Sequence, residues 1–423
     1  MPKVARLVLG GNVGLSESRS LLASACLSVF LRAPEGETHF RYVRLLVHHS
    51  NSVYVSCFRG GQHVKREISS YLQSQAQSNG PIRQAGINSN RWYMIAKSSD
   101  IQGQPAKREI WRQAVVLFRT QQGEVRALED RCAHRLVKLS YGRVKDDKIE
   151  CAYHGWQFDG AGRCVRIPHL GSRKTLPNCE VRSFPVVEKH GFVWIFPGDP
   201  ALSDTVAPMA MNEWDDLNEI ASFVPLRARA HFSYLIENLM DMYHGRLHAQ
   251  YQVWTAESLK EVVEDENHVS ATYQATTYYQ VKDLGSILQL FIPSLRKLHS
   301  VPLTVTYEYP NWKSALGEDF KIYCLICPVN ERLTDAYLIH YTSLAKFKGL
   351  NHAPLAVRRL LKRALSNVAK KLLANLVRQD VVMIEDEQAA FDQDPLRQPF
   401  EVNRAIRRVQ GLVRRQATEE SLH

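Results

Sequence analysis

The sequence predicts an α+β protein, in which an all-β module over about residues 90 to 200 precedes a mixed α+β module. Three observations predict it. From Trp92 onward, short runs rich in β-branched and aromatic residues alternate with glycine-containing turns. Beyond Pro200, two long helical stretches, around 231 to 250 and 354 to 392, flank alternating runs such as Val269 to Val281 and Lys321 to Cys327. The first 85 residues carry neither sustained helical periodicity nor clean alternation.

Taken in order, the apolar block Leu21 to Leu31 is too short to span a bilayer. About 20 residues precede it, including Glu17, Arg19 and a glycine pair, so it does not read as a secretion signal. Ser74 to Asn79, followed by Gly80 and Pro81, is polar and turn-forming and reads as a linker. The expected division is an extension over 1–85, a β module over 86–200 and an α+β domain over 201–423. Within the β module, Ala114 to Arg119, the turn at Gln121 to Gly123 and Val125 to Leu128 make a hairpin. Further strands are expected at Lys148 to Ala152, at Gly155 to Phe158 ending in the turn Asp159 to Gly162, and at Phe184 to Phe196, broken at His190 and Gly191.

Composition narrows the class. Of 423 residues, 45% are hydrophobic and 23% charged, which is ordinary for a globular protein and too long for a disulfide scaffold. No uninterrupted apolar run reaches the roughly 18 residues of a membrane span. The net charge of +11 favours acidic partners, but no recognition motif accompanies it, so nucleic acid is not expected. Eight cysteines in a chain of this length suit a reducing compartment, and a cytoplasmic location is expected.

Chemistry concentrates in two places. The first is Cys132-Ala-His134 followed by Cys151-Ala-Tyr-His154-Gly155-Trp156. Two Cys and two His could fill a structural zinc shell, but a zinc finger pairs Cys with Cys and His with His. Here each short loop offers one of each, as a [2Fe–2S] cluster needs when one iron takes two thiolates and the other two imidazoles. The second place is Asn238-Leu-Met-Asp241-Met-Tyr-His244-Gly-Arg-Leu-His248, which reads as helical apart from Gly245. On such a helix Asp241, His244 and His248 share one side, and the Asp241 carboxylate would accept the second ring N–H of His244.

With Phe158, Gly162, Cys164 and Ile167-Pro168 following, the first motif resembles the Rieske domain of ring-hydroxylating oxygenases. The second resembles their N-x2-D-x2-H-x3–4-H iron motif. This resemblance spans roughly residues 90 to 395 and is closest to vanillate demethylase-like, phenoxybenzoate dioxygenase-like and pheophorbide or chlorophyllide oxygenase-like members. It implies an N-terminal Rieske [2Fe–2S] domain followed by a helix-grip α+β catalytic domain. Cys132 and Cys151 would hold one cluster iron, His134 and His154 the other. His244 and His248 would bind a mononuclear Fe(II), completed by a late carboxylate. Gln379-Asp380 to Gln388 resembles the family's late acidic segment, which singles out Asp380, with Glu385, Asp386 and Glu387 as alternatives.

The resemblance also implies a homotrimer in which His154 meets Asp241 across the interface, with Asp241 and Asn238 serving catalysis. Neither a nucleotide-binding G-x-G-x-x-G nor a plant-type ferredoxin motif is present, so a separate reductase or ferredoxin is expected to supply electrons. Dioxygen would then oxidise a small apolar substrate by hydroxylation, dihydroxylation or demethylation, a tetrapyrrole among the candidates. The alternative is a Rieske-type electron carrier with no catalytic iron.

Remaining features are weaker. Cys324 and Cys327 lie three apart on an expected strand and so face opposite sides, as packed thiols. Cys164 and Cys179 also read as packed thiols. The basic helix 356–378 has a stripe from Val357 to Leu372 that either faces the core or leaves the helix to dock an acidic ferredoxin or touch a membrane peripherally. Ile287 to Pro293 and Tyr307 to Trp312 are open to reading as pocket or core.

Overall fold

The computed structural model describes residues 82–171, 175–248, 254–278, 288–289, 292–317, 320–343, 353–397 and 399–419, together with 43–47, 53–59 and 62–67. The chain divides into two compact units, Met1–Gly80 and Pro81–His423. In the first unit, strands Val43–Val47, Val53–Arg59 and Gln62–Glu67 form an antiparallel meander. The apolar block at 21–31 and the linker at 74–79 lie outside the described residues.

The second unit begins with the β module, built as three small antiparallel sheets. One joins Tyr93–Lys97, Phe192–Ile195 and Val186–Lys189. His190 and Gly191 turn that hairpin at φ 54° and 72°, where the sequence broke the run. A second sheet holds Ala106–Ile110, Gln113–Arg119, Val125–Glu129 and Ser183–Phe184, with the expected turn at Gly123. The third holds Arg143–Lys145, Lys148–Glu150, Gln157–Phe158 and Cys164–Arg166. Its core is small and separate: Val116, Phe118, Leu139, Ile149 and Phe158 pack around Cys132 and Cys151.

The α+β part is a seven-stranded antiparallel sheet ordered Glu219–Ala228, Leu333–Ser343, Phe320–Asn330, Asn311–Leu316, His299–Glu308, His268–Thr277 and Trp254–Glu264. Clean alternation along His268–Thr277 buries Val269, Ala271, Tyr273 and Ala275 on one face. Helices α1 (Phe232–Met240), α2 (Leu355–Gln393) and α3 (Arg404–Glu419) complete this part. Helix α1 buries Phe232, Leu235, Ile236 and Met240, an i, i+3, i+4, i+8 stripe whose burial is worth about 1.5–3 kcal/mol per large side chain. Its N-cap is His231, which accepts from Ser233 N–H, and Arg83 grips Glu237 through two 2.7 Å hydrogen bonds. No helix among the described residues is long and apolar enough to cross a membrane.

One expectation about helices needs correction, and one left open is resolved. The stretch around 231–250 is not one helix: α1 stops at Met240, Asp241 is extended, and Met242–His248 is a 3-10 turn. The Asp241 carboxylate accepts the Tyr243 N–H at 3.1 Å, so it caps the next turn instead of continuing the last one. In the first half of α2 the apolar stripe does not face the core throughout. Arg358 donates to Asn218 Oδ1 (2.9 Å), Lys362 to Leu217 O (2.9 Å) and Ser366 to Ala221 O (2.8 Å), while Val357 and Leu360 are exposed. Polar groups hold this part of α2 on the edge strand, and that turns Val357 and Leu360 outward while Leu361 and Leu365 stay half-buried.

Cys324 and Cys327 are buried in their strand, as packed thiols should be. Tyr307, Tyr309 and Trp312 are buried with the main core. Of the stretch 287–293, residues 287, 290 and 291 lie outside the described residues.

Candidate iron sites

The two Cys-His loops of the β module share one backbone design. Cys132 N–H donates to Val137 O at 2.8 Å and Leu136 N–H returns to Cys132 O at 2.9 Å. Likewise Cys151 N–H donates to Trp156 O at 2.8 Å and Gly155 N–H returns to Cys151 O at 3.0 Å. Each loop places its fifth residue at positive φ, Leu136 at 56° and Gly155 at 68°. Asp130 fastens the first loop, accepting from Ser140 N–H and Oγ–H at 2.7 Å each.

Both thiols are buried, and the imidazoles of His134 and His154 lie 4.6 Å apart between centroids. The Trp156 ring stacks on His134 at 4.6 Å and 2°. His134 Nδ1 is buried with no hydrogen-bond partner, a donor set's signature for a metal bond. Partial burial, with His154, Arg135 and His169 nearby, holds that imidazole below its ordinary pKa, in the neutral form that ligates metal. Burial and the Cys151 thiol push Cys132 up to about 11, so a thiolate here calls for an adjacent cation. The residues therefore fit a cluster with two thiolate and two imidazole ligands.

The second set converges from elements far apart in the chain. His244 and His248 come from the 3-10 turn and Asp380 from α2, and their ligand atoms lie within 4.8 Å of one another. Asp380 Oδ1 is 3.0 Å from His248 Nε2 and 3.8 Å from His244 Nε2. The two imidazole planes stand at 88° with ring centroids 5.3 Å apart. Of the late carboxylates, Glu385 instead meets Arg229, accepting its backbone N–H at 2.8 Å. Among the described residues, no other group of three or more His, Cys, Asp or Glu converges in this way.

Support around this set differs from expectation. The second nitrogen of His244, Nδ1, meets the backbone carbonyl of Asp241, not its carboxylate. That carboxylate is held by Asn403, whose Nδ2 donates to Asp241 Oδ1 at 3.0 Å and reaches Tyr273 Oη at 3.1 Å. Tyr273 O–H in turn donates to Met240 O at 2.8 Å. His248 Nδ1 lies 2.9 Å from Gln379 Oε1, so Nδ1 carries the proton and Nε2 faces Asp380. Burial opposes a charge on His248, but acceptance by Asp380 and Gln379 outweighs it and raises the pKa. Asn238 Nδ2 reaches Asp380 Oδ1 at 3.4 Å. Sequence reasoning missed Gln379, Asn403 and Tyr273; only the adjacency of Gln379 to Asp380 was a local signal.

Comparison with known proteins gives the family. The Rieske [2Fe-2S] domain family matches residues 91–185. The chain is 32% identical over 341 residues to a 4beta-methylsterol monooxygenase of Methylococcus capsulatus, covering 78% of this chain and 89% of that protein. The chain belongs to the Rieske non-heme iron oxygenases. This oxygenase is also 37% identical over 161 residues to the oxygenase component of dicamba O-demethylase from Stenotrophomonas maltophilia, covering 37% of this chain and 46% of that one. Its fold is shared with the crystal structure of dicamba monooxygenase bound to 3,6 dichlorosalicylic acid, at TM-score 0.65 and 23% identity over 80% of this chain and all of that one. As a Rieske oxygenase it is an oxidoreductase that uses dioxygen, carries a [2Fe–2S] cluster and a mononuclear iron, and works with a separate reductase or ferredoxin. The electron-carrier alternative does not describe it.

Proposed function

We propose that this oxygenase inserts one oxygen atom into a C–H bond of an apolar ring compound bearing methyl or similar substituents. In this reading His244, His248 and Asp380 hold the mononuclear iron. Cys132 and Cys151 hold one cluster iron, His134 and His154 the other. The observation that carries it is the convergence of His244, His248 and Asp380 within 4.8 Å, a 2-His-1-carboxylate set that leaves coordination positions open. When bound, the two centres supply one-electron relay and dioxygen activation.

The chain's own residues do the positioning. Gln379 sets the His248 tautomer, the Asp241 carbonyl orients His244, and Asn238 and Asn403 hold the Asp380 and Asp241 carboxylates. Asp241 couples the site to the His154 of a neighbouring subunit in a homotrimer. The domain order is an N-terminal extension, the Rieske domain and the catalytic domain, and the enzyme works in the cytoplasm. The basic first half of α2, with Arg359 and Arg363 exposed beside Leu360, offers an acidic ferredoxin a complementary surface.

The substrate class rests on the long match to a relative whose name gives a 4β-methylsterol. The test is turnover of methylated polycyclic substrates with a surrogate reductase under ¹⁸O₂. One labelled atom per product molecule is expected; two labelled atoms, or none, would overturn mono-oxygenation.

A further inference from the structure

Cys164 and Cys179 lie outside both iron sites, yet they are not two independent packed thiols. Arg163 and Glu180 form an antiparallel bridge, flanked by Cys164 N–H to Cys179 O at 3.3 Å and Val181 N–H to Gly162 O at 2.9 Å. That pattern places Cys164 and Cys179 opposite each other, one step along from the bridge and joined by a single backbone hydrogen bond. Opposed residues of an antiparallel pair have Cα atoms about 4.5–5.5 Å apart, inside the roughly 4.4–6.8 Å that a disulfide spans. Both side chains are half-buried and pack against the small core that contains Cys132, Cys151 and Trp156.

On its other edge Cys164 pairs with Phe158 in the sheet that carries the second cluster loop. The chain between the two cysteines runs through Ile167, which is buried in the same core, and Pro168, whose ring lies against Gly155. Burial, and a hydrogen bond between the two thiols, push Cys164 up to about 12, so the reduced pair rests as thiols at neutral pH. Cys324 and Cys327 provide the contrast, since they follow one another along a single strand and no backbone bond joins them across a ladder.

We propose that Cys164 and Cys179 are a dithiol–disulfide pair that closes in response to small-molecule disulfides and pins the strand Cys164–Arg166, with Ile167 and Pro168 after it, against the cluster loops. The step balances by exchange. One cysteine thiolate attacks a sulfur of the small disulfide, forming a mixed disulfide and releasing one small thiol. The other cysteine then displaces the second small thiol, so two protein S–H bonds become one S–S bond and the small disulfide is reduced to two thiols.

Anaerobically purified holoprotein is equilibrated with oxidised and reduced glutathione at graded ratios, blocked with N-ethylmaleimide and digested with trypsin. The expected product joins the peptides Cys164–Arg166 and Thr175–Arg182, two hydrogens lighter than their sum, and separates with dithiothreitol. The oxidised protein is expected to lose its visible cluster absorbance to a chelator severalfold more slowly than the reduced protein. Cys164→Ser and Cys179→Ser are each expected to abolish both effects while keeping the cluster spectrum. Recovery of the two cysteines as separately blocked or singly glutathionylated peptides at every ratio would overturn the pairing. A linked peptide with an unchanged rate of cluster loss would overturn the pinning.

Discussion

Asp380 Oδ1 lies 3.0 Å from His248 Nε2, although one residue comes from the C-terminal half of a long helix and the other from a short 3-10 turn before the sheet's outer strands. A carboxylate and a buried imidazole at this distance form a strong pair in their own right. The presence of His244 Nε2 at 3.8 Å from the same oxygen turns the pair into a ligand set.

Removing Asp380 leaves two imidazole ligands, too few to retain Fe(II) against chelators. Asp380→Ala is expected to lose the mononuclear iron while the cluster's visible and paramagnetic signatures persist. Metal analysis and EPR on the same sample check this.

Gln379 touches no metal position, so its effect is indirect. Gln379→Leu leaves His248 Nδ1–H without its acceptor and frees the ring to turn, which is expected to weaken Fe(II) binding by about 10–100-fold. Gln379→Glu keeps an acceptor and is expected to retain binding. Fe(II) titration of the metal-stripped second site separates the two variants; equal affinity in both would show that the hydrogen bond is idle.

Gly155 sits at φ 68° in the second cluster loop, and an added Cβ would lie 3.2 Å from Pro168 Cγ. Gly155→Ala is expected to cost about 1–2 kcal/mol from the left-handed backbone alone. Thermal unfolding and the sulfide content of the purified variant would both fall.

His231 is fully buried at the N-cap of α1, and burial lowers its pKa from 6.5 to about 4. Above pH 6.5 the ring is neutral folded and unfolded, so it adds no pH dependence. As pH falls from 6.5 toward about 4, the unfolded chain takes a proton that the folded chain refuses, and stability drops by at most about 3 kcal/mol. His231→Asn keeps a capping acceptor for Ser233 N–H and should flatten that part of the curve in denaturant titrations across this range.

Legibility in the sequence followed chain distance. Both Cys-His loops were readable because each is a local motif whose spacing already reflects its turn, and the alternation of the sheet strands was equally local. Asp380 was reached only through resemblance, since nothing near it announces that α2 returns to the 3-10 turn. Gln379, Asn403 and Tyr273 act through bonds to residues far away in the chain, so their roles left no periodic trace. The break at Asp241 was hidden because Asn238 to His248 has acceptable helical propensity throughout except at Gly245. What ends the helix is a side-chain-to-backbone bond to Tyr243, a competition that periodicity does not register. The sequence left the stripe of α2 open between core and surface for a similar reason, as Arg358, Lys362 and Ser366 set it through backbone and amide partners on the neighbouring strand and loop.

The most direct test of two iron centres held by these residues is the iron and acid-labile sulfide content of anaerobically purified protein, alongside Asp380→Ala. About three irons and two sulfides per chain are expected for the wild type and about two irons and two sulfides for the variant. A wild-type protein that stays at two irons and two sulfides after Fe(II) is added, or a variant that keeps its third iron, would contradict the assignment.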